Sequence, residues 1–269
     1  QTTSTAVGLC AGIFCVTVTD AVGCSSSDCI TITEPPPITS IVSGADLLCY
    51  SVCNGSATLT ISGGIAPYTF NWTGGFTTQN VAGLCAGIYY VTVTDANTVS
   101  IVDSVEILEP PALVLSTTGT DAVCNNACDG TATVTATGGT GTTTFQWNDP
   151  ASQTTATAIG LCSGTYDVSV TDANGCTEIA SYVINEPPAV IVNVTNIDAN
   201  CGQPDGSVTA VTTNGIGPFT YQWSTICSNS TCTGLVANAY DVTVTDITGC
   251  VGLGSGAIAD LDGPTAQML

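Results

Sequence analysis

Fifteen of the 269 residues are cysteine, the side chain here best suited to covalent chemistry. Thiols can hold a metal, act as nucleophiles or cross-link. Cys49 with Cys53, and Cys124 with Cys128, each offer half of a zinc site, but structural zinc takes four N or S ligands, usually at shorter spacing and often with His. The chain contains no His, Lys or Arg. Without His no hydroxyl or thiol has a general base near neutral pH. Without Lys there is no Schiff base, and without Arg no bidentate clamp on phosphate or carboxylate. The plentiful Ser and Thr hydroxyls therefore have nothing to activate them. Cross-linking is the chemistry that remains, and so many cysteines point to an oxidising, extracellular setting. The residues imply a secreted or cell-surface protein with disulfides and no catalytic residue.

Carboxylates are the second candidates. The 21 acidic residues face no cation, for a formal charge of −21, a field that repels nucleic acid and anionic membrane alike. Neither is expected as a partner. Asp172-Ala173-Asn174-Gly175 opens like a calcium loop, yet it lacks the further ligands and distal Glu of the twelve-residue pattern. Asp, Asn and Gly are also what a tight hairpin needs, and Asn54-Gly55, Asp129-Gly130 and Asp205-Gly206 read as turns into strands. Calcium remains open only at module joints, where a module-ending Glu could meet a neighbour's carboxylates. Sequons stand at Asn54, Asn71, Asn193 and Asn229. No apolar run reaches the length that spans a bilayer, and no charged-then-apolar signal precedes Gln1.

The elements that must position these groups repeat along the chain. Gly8-Leu9-Cys10 recurs as Gly83-Leu84-Cys85, Gly160-Leu161-Cys162 and, degraded, Gly234-Leu235-Val236. Thr17-Val18-Thr19-Asp20, the three Trp residues at 72, 147 and 223, and Glu-Pro-Pro at 34, 109 and 186 keep the same step. The modules run 37–111, 112–188 and 189–263, preceded at 1–36 by the last third of another and followed by a tail at 264–269. Within each, apolar residues alternate with polar ones, as in Tyr166-Asp167-Val168-Ser169-Val170-Thr171, which is the period of half-buried strands. The expected class is all-β, a linear array of immunoglobulin-like antiparallel sandwiches. A lone Trp on a mid-module strand sharpens it. So does a Tyr five residues after a Leu (Tyr89, Tyr166, Tyr240), the spacing of a tyrosine corner. Phe14 holds that place in the first, partial unit and cannot donate such a bond.

Comparison between modules assigns the disulfides. Module 112–188 has Cys124, Cys128, Cys162 and Cys176, whereas module 189–263 lacks equivalents of Cys128 and Cys162, with Pro204 and Val236 there, and keeps Cys201 and Cys250. Joint loss implies the pairs Cys128–Cys162 and Cys124–Cys176, hence Cys53–Cys85 and Cys201–Cys250 by equivalence. Cys227 and Cys232 should close a local loop. With Asp20 opposite Cys24 across a hairpin, Cys15 faces Cys29, and the two can bridge adjacent strands. Cys49 is expected free because Val99 stands at its partner position, and Cys10 and Cys24 should pair upstream of Gln1.

The unit resembles the SprB-type repeat of Bacteroidota gliding and surface adhesins. The likeness rests on Asp172-Ala173-Asn174-Gly175-Cys176, Glu186-Pro187-Pro188, Cys124 to Gly130, Gly138-Gly139, Trp147 and Leu161-Cys162-Ser163-Gly164-Thr165-Tyr166. Module 37–111 departs from it with Thr98-Val99 in place of Gly-Cys. The resemblance implies type IX secretion and stalk or adhesive repeats in gliding, attachment or biofilm. Its partners would be neighbouring repeats, surface glycans or further copies. The other readings are a filament subunit completed by a neighbour's strands and a non-catalytic spacer in a secreted polysaccharide-degrading enzyme.

Overall fold

The computed structural model describes residues 3–261, so the tail expected at 264–269 lies outside the described residues. Every regular element among them is a strand. A hairpin comes first, β1 (Gly12–Thr19) and β2 (Ser25–Ile32). Six strands follow: β3 (Thr39–Ala45), β4 (Gly55–Ser62), β5 (Thr69–Trp72), β6 (Val81–Leu84), β7 (Gly87–Thr94) and β8 (Ser100–Ile107). The next six are β9 (Val114–Thr120), β10 (Gly130–Thr137), β11 (Thr144–Trp147), β12 (Thr157–Leu161), β13 (Gly164–Thr171) and β14 (Thr177–Ile184). The last set comprises β15 (Ile191–Ile197), β16 (Ala199–Asn200), β17 (Gly206–Thr213), β18 (Thr220–Trp223), β19 (Thr231–Leu235), β20 (Asn238–Thr245), β21 (Val251–Ile258) and β22 (Asp260–Leu261).

Each complete set makes two three-stranded antiparallel sheets. In the middle one the orders are β9-β10-β12 and β11-β13-β14, and the first and last sets repeat them. Leaving aside the short parallel pair β16–β22 of the last set, strands one, two and four therefore face strands three, five and six, the A-B-E over C-F-G arrangement of an immunoglobulin-like sandwich. The chain is all-β, built of tandem sandwiches of this type. It divides after Ala112 into two compact units, the second of which holds the middle and last sandwiches.

The alternation that marks the strands also makes the core. Along β10 and β13 the inward residues Ala132, Val134, Val168 and Val170 are buried while Thr and Ser between them reach outward. Trp147 fills the centre of this core beside Leu161 and Ile184. Its indole N–H donates to Thr155 O at 2.9 Å, which satisfies the one polar group a buried Trp carries. Trp72 and Trp223 donate likewise to Thr78 and Asn229 carbonyls. The tyrosine corners form in all three sandwiches: the hydroxyls of Tyr89, Tyr166 and Tyr240 donate to the carbonyls of Cys85, Cys162 and Val236 at 3.0–3.2 Å.

Candidate functional site

The cysteines gather at the two ends of the sandwich, and strand direction decides which end. In the middle sandwich β10 begins beside Leu161 and ends beside Val114, so the loop holding Cys124 and Cys128 lies where β10 starts. Cys176 sits in the hairpin beyond Thr171 and Thr177, whose neighbouring loop at Thr140 follows the finish of β10. An eight-residue strand spans about 25 Å, so these are opposite ends of the module.

The hairpin end is organised by a buried aspartate. Asp172 Oδ1 accepts the N–H groups of Asn174 and Cys176, and Oδ2 accepts that of Thr140, all at 2.8–2.9 Å. Asp95 and Asp246 do the same, each reaching the loop after the second strand through Ile65 or Ile216. Burial pushes the Asp172 and Asp95 carboxyls up, but the converging amides outweigh it and hold both below the usual range. At Asp246 the Thr248 hydroxyl is the largest lowering influence. Asp172 thus serves as a turn anchor. Gly23, Gly175 and Gly249 occupy the left-handed turn position at φ 84–91°, and Thr98 is forced into the same region at 65°.

The opposite end carries two devices. The first is a clasp: Cys53 bonds Cys85 and Cys128 bonds Cys162, each pinning the loop before the second strand to the loop after the fourth. The second is a shaped loop beside it. Val123 N–H donates to Asp129 Oδ1, and Asn126, at φ 58°, donates its N–H to Glu186 Oε2 at 2.7 Å, while Asn125 Nδ2 donates to Oε1. Glu186 belongs to the first Glu-Pro-Pro after this loop, so the motif holds the cysteine loop of its own module as well as ending the strand. Glu109 holds Ser51 in the same way, and in the last sandwich Asp260 holds Gly202. Among the described residues no group of three or more metal-capable side chains forms.

Cys124 is bonded to Cys250, with Cα atoms 5.4 Å apart. The loop of the middle sandwich is thereby joined to the hairpin of the last, end to end. Cys250 is buried, its N–H is held by Asp246 Oδ1, and its sulfur lies 3.2 Å from Val123 O. This corrects three expectations. Cys124–Cys176 and Cys201–Cys250 do not form, because within one module those residues lie at opposite ends, whereas a disulfide requires Cα atoms within about 7 Å. Cys49 is not free but disulfide-bonded, as is Cys176; tying Cys49 to Val99 made the same error of placement. Cys15–Cys29 joins directly opposed residues of β1 and β2, and Cys227–Cys232 closes the loop ahead of β19. Cys10, Cys24 and Cys201 are exposed thiols. The sequence did carry a signal for the inter-module bond: Cys49 is kept although its own module has Val99, so the two positions are not lost together.

The SprB repeat family matches residues 43–77, 116–152 and 192–226, once in each sandwich. Three stretches of the chain are similar to the SprB repeat. Each match takes in the cysteine loop, the strand that follows it and the Trp strand. No curated protein matches the chain. Among solved structures, the mouse nectin-like molecule 4 ectodomain (Ig1–Ig3) is 8% identical, with 87% of this chain and 97% of that one covered at a TM-score of 0.35. Dpr2 Ig1–Ig2 in complex with DIP-Theta Ig1–Ig3 gives 12% identity over 84% and 98% at 0.29. Domains 4–9 of the surface layer protein SbsC give 12% over 85% and 48% at 0.24. Scores this low say nothing about what the chain does.

Proposed function

We propose that this chain is a stretch of stalk from a secreted surface adhesin, exported by type IX secretion and serving gliding, attachment or biofilm, with no catalysis of its own. The observation that carries the reading is Cys124–Cys250, a covalent joint between successive repeats. Such a bond persists where thiols are kept oxidised, and twelve of the fifteen cysteines are disulfide-bonded. The acidic surface, with no cation to pair it, keeps a long array soluble. Neighbouring repeats, surface glycans and further copies of the chain are its partners. The test is to label intact, unpermeabilised cells of the source organism with antibody to the chain, after rapid alkylation of free thiols. Surface staining with Cys124 protected from alkylation is the expected result, and an intracellular chain with reduced Cys124 would overturn it.

A further inference from the structure

We propose that the middle sandwich carries a binding site for a neutral saccharide, in a cleft between the outer face of β11 and β13 and the loop that precedes β12. The inference gives the glycan partner of the adhesin reading a site, and rests on that reading for the origin of the sugar.

The cleft is open and about 720 Å³ in volume, within the roughly 300–1,000 Å³ that small-ligand sites occupy. Its floor is a piece of sheet. Thr144 and Gln146 of β11 stand opposite Thr171 and Ser169 of β13, and strand alternation turns all four outward, away from the buried Val168 and Val170. Its wall is the loop, through Thr154, Thr155 and Ala156.

That wall is particular to this module. From the Trp to the carbonyl that accepts its indole N–H, the chain runs 8 residues in the middle sandwich, Trp147 to Thr155. It runs 6 in the first and last, Trp72 to Thr78 and Trp223 to Asn229. A longer loop on an otherwise repeated framework is how an array places a binding feature on one unit. The loop is also held in shape: the Gln153 side chain donates to Ile159 O at 2.9 Å and accepts Ile159 N–H at 3.0 Å. The last sandwich keeps the floor, with Thr220 and Gln222 opposite Thr245 and Thr243, beneath the shorter loop.

The lining names the class of ligand. The hydroxyls of Thr143, Thr154 and Ser169 make no hydrogen bond to the protein among the described residues, and Gln146, whose Nε2 donates to Trp147 O, keeps its Oε1 as an acceptor. A hydroxyl both donates and accepts, as each hydroxyl of a sugar does, so these groups can answer a sugar's edge in either sense. Phe145 and Ala156 add apolar lining, suited to the C–H face of a pyranose ring. No ionised side chain lines the cleft. Asp149 of the loop is buried against its amide donors, and Asp167, outward on β13 before Ser169, is engaged by Ser181 and Asn148. A cation therefore finds no partner in the cleft, and the field of a chain of charge −21 repels acidic sugars. The occupant is uncharged.

The experiment screens the full 269-residue chain at low salt against an array of neutral hexose and N-acetylhexosamine oligosaccharides and the same cores bearing sialic or uronic acids, with calorimetry on the hits. Neutral members should bind and their acidic counterparts should not. Q146A and S169A should each weaken binding about three- to tenfold, the loss of one neutral hydrogen bond, with unchanged circular dichroism. Q222A and T243A, at the same places in the last sandwich, should leave it unchanged. Hydrogen exchange should slow on saturation at 143–146 and 154–156 but not at 219–222. An array with no neutral hit, a preference for the acidic forms, or a hit weakened as much by Q222A as by Q146A would overturn the cleft and leave the stalk standing. A reduced, intracellular chain that still binds neutral sugars through Gln146 would overturn the stalk and keep the cleft.

Discussion

In the middle sandwich Tyr182 of β14 lies over Gly119 of β9, where an added Cβ would come within 2.6 Å of the ring. In the last sandwich the division is reversed: Gly256 of β21 lies beneath Val194 of β15, again with 2.6 Å to an added Cβ. Gly252 and Gly254 extend the exchange, each giving its space to Val190 or Val192. A close-packed core fixes the sum of volumes across two facing strands and leaves open which strand supplies it. The loop between the Trp strand and the fourth strand makes a second contrast. In the middle sandwich Asp149 closes it by accepting the N–H groups of Ala151 and Gln153 and the Gln153 side-chain amide. In the last, Cys227–Cys232 closes it covalently.

The largest difference should appear on removal of the clasp. C128S/C162S deletes a crosslink closing 34 residues, worth about 4 kcal/mol in the entropic model, whereas C227S/C232S closes 5 and should cost about 2 kcal/mol. Calorimetry of the two double variants would separate the sandwiches, and equal losses would erase the contrast. Next comes volume. G254V in the last sandwich should cost about 1–3 kcal/mol by overpacking, and V192A in the same chain should recover part of it, a coupling that denaturant titration can read.

The two loop closures should answer to different reagents. Burial pushes the Asp149 carboxyl up, but the Gln153 and Ala151 donors hold it below its ordinary value. A depressed folded pKa stabilises above the unfolded value of about 3.9 and is lost as pH falls through the folded one. Trp147, whose indole donates into that loop, should therefore change emission below about pH 4, and D149N should blunt the change. Trp223 should respond to reductant instead. A reversed response would show that the loops do not govern the indoles. The smallest effect belongs to Thr98, among the described residues the one β-branched side chain at a left-handed hairpin position. T98G should stabilise the first sandwich by about 1 kcal/mol, and a melting temperature that falls would contradict the strain argument.

Much of this was legible in the residues. Alternation along β7, β13 and β20, the lone Trp of each module and the Leu-to-Tyr spacing pointed to the sandwich and its corners, because these patterns are local and burial reads them directly. The joint was not. Comparing repeats places a cysteine within the module but cannot say whether its partner lies in the same copy or the next, since both have the same address modulo the period. Strand direction resolves this: Cys124 precedes β10 and Cys176 follows β13, which puts them at opposite ends. In the sequence Glu186 is a repeat marker and a module-ending carboxylate, and its hold on the Asn126 amide depends on a loop 60 residues upstream.

Cys124–Cys250 also closes a covalent ring with a sequence separation of 126 residues. At about 3.4 Å per residue that ring stores roughly 430 Å of contour. Tension applied outside it passes through the sulfur bridge, and the enclosed polypeptide carries no load. Oxidised, the chain is nearly inextensible across this stretch however often its sandwiches open; with this bond and those inside the ring, Cys128–Cys162 and Cys227–Cys232 among them, all reduced, it can pay out the whole reserve. Its reach is therefore set by the redox state of a few nested bonds, with Cys124–Cys250 the outermost of those within the two sandwiches.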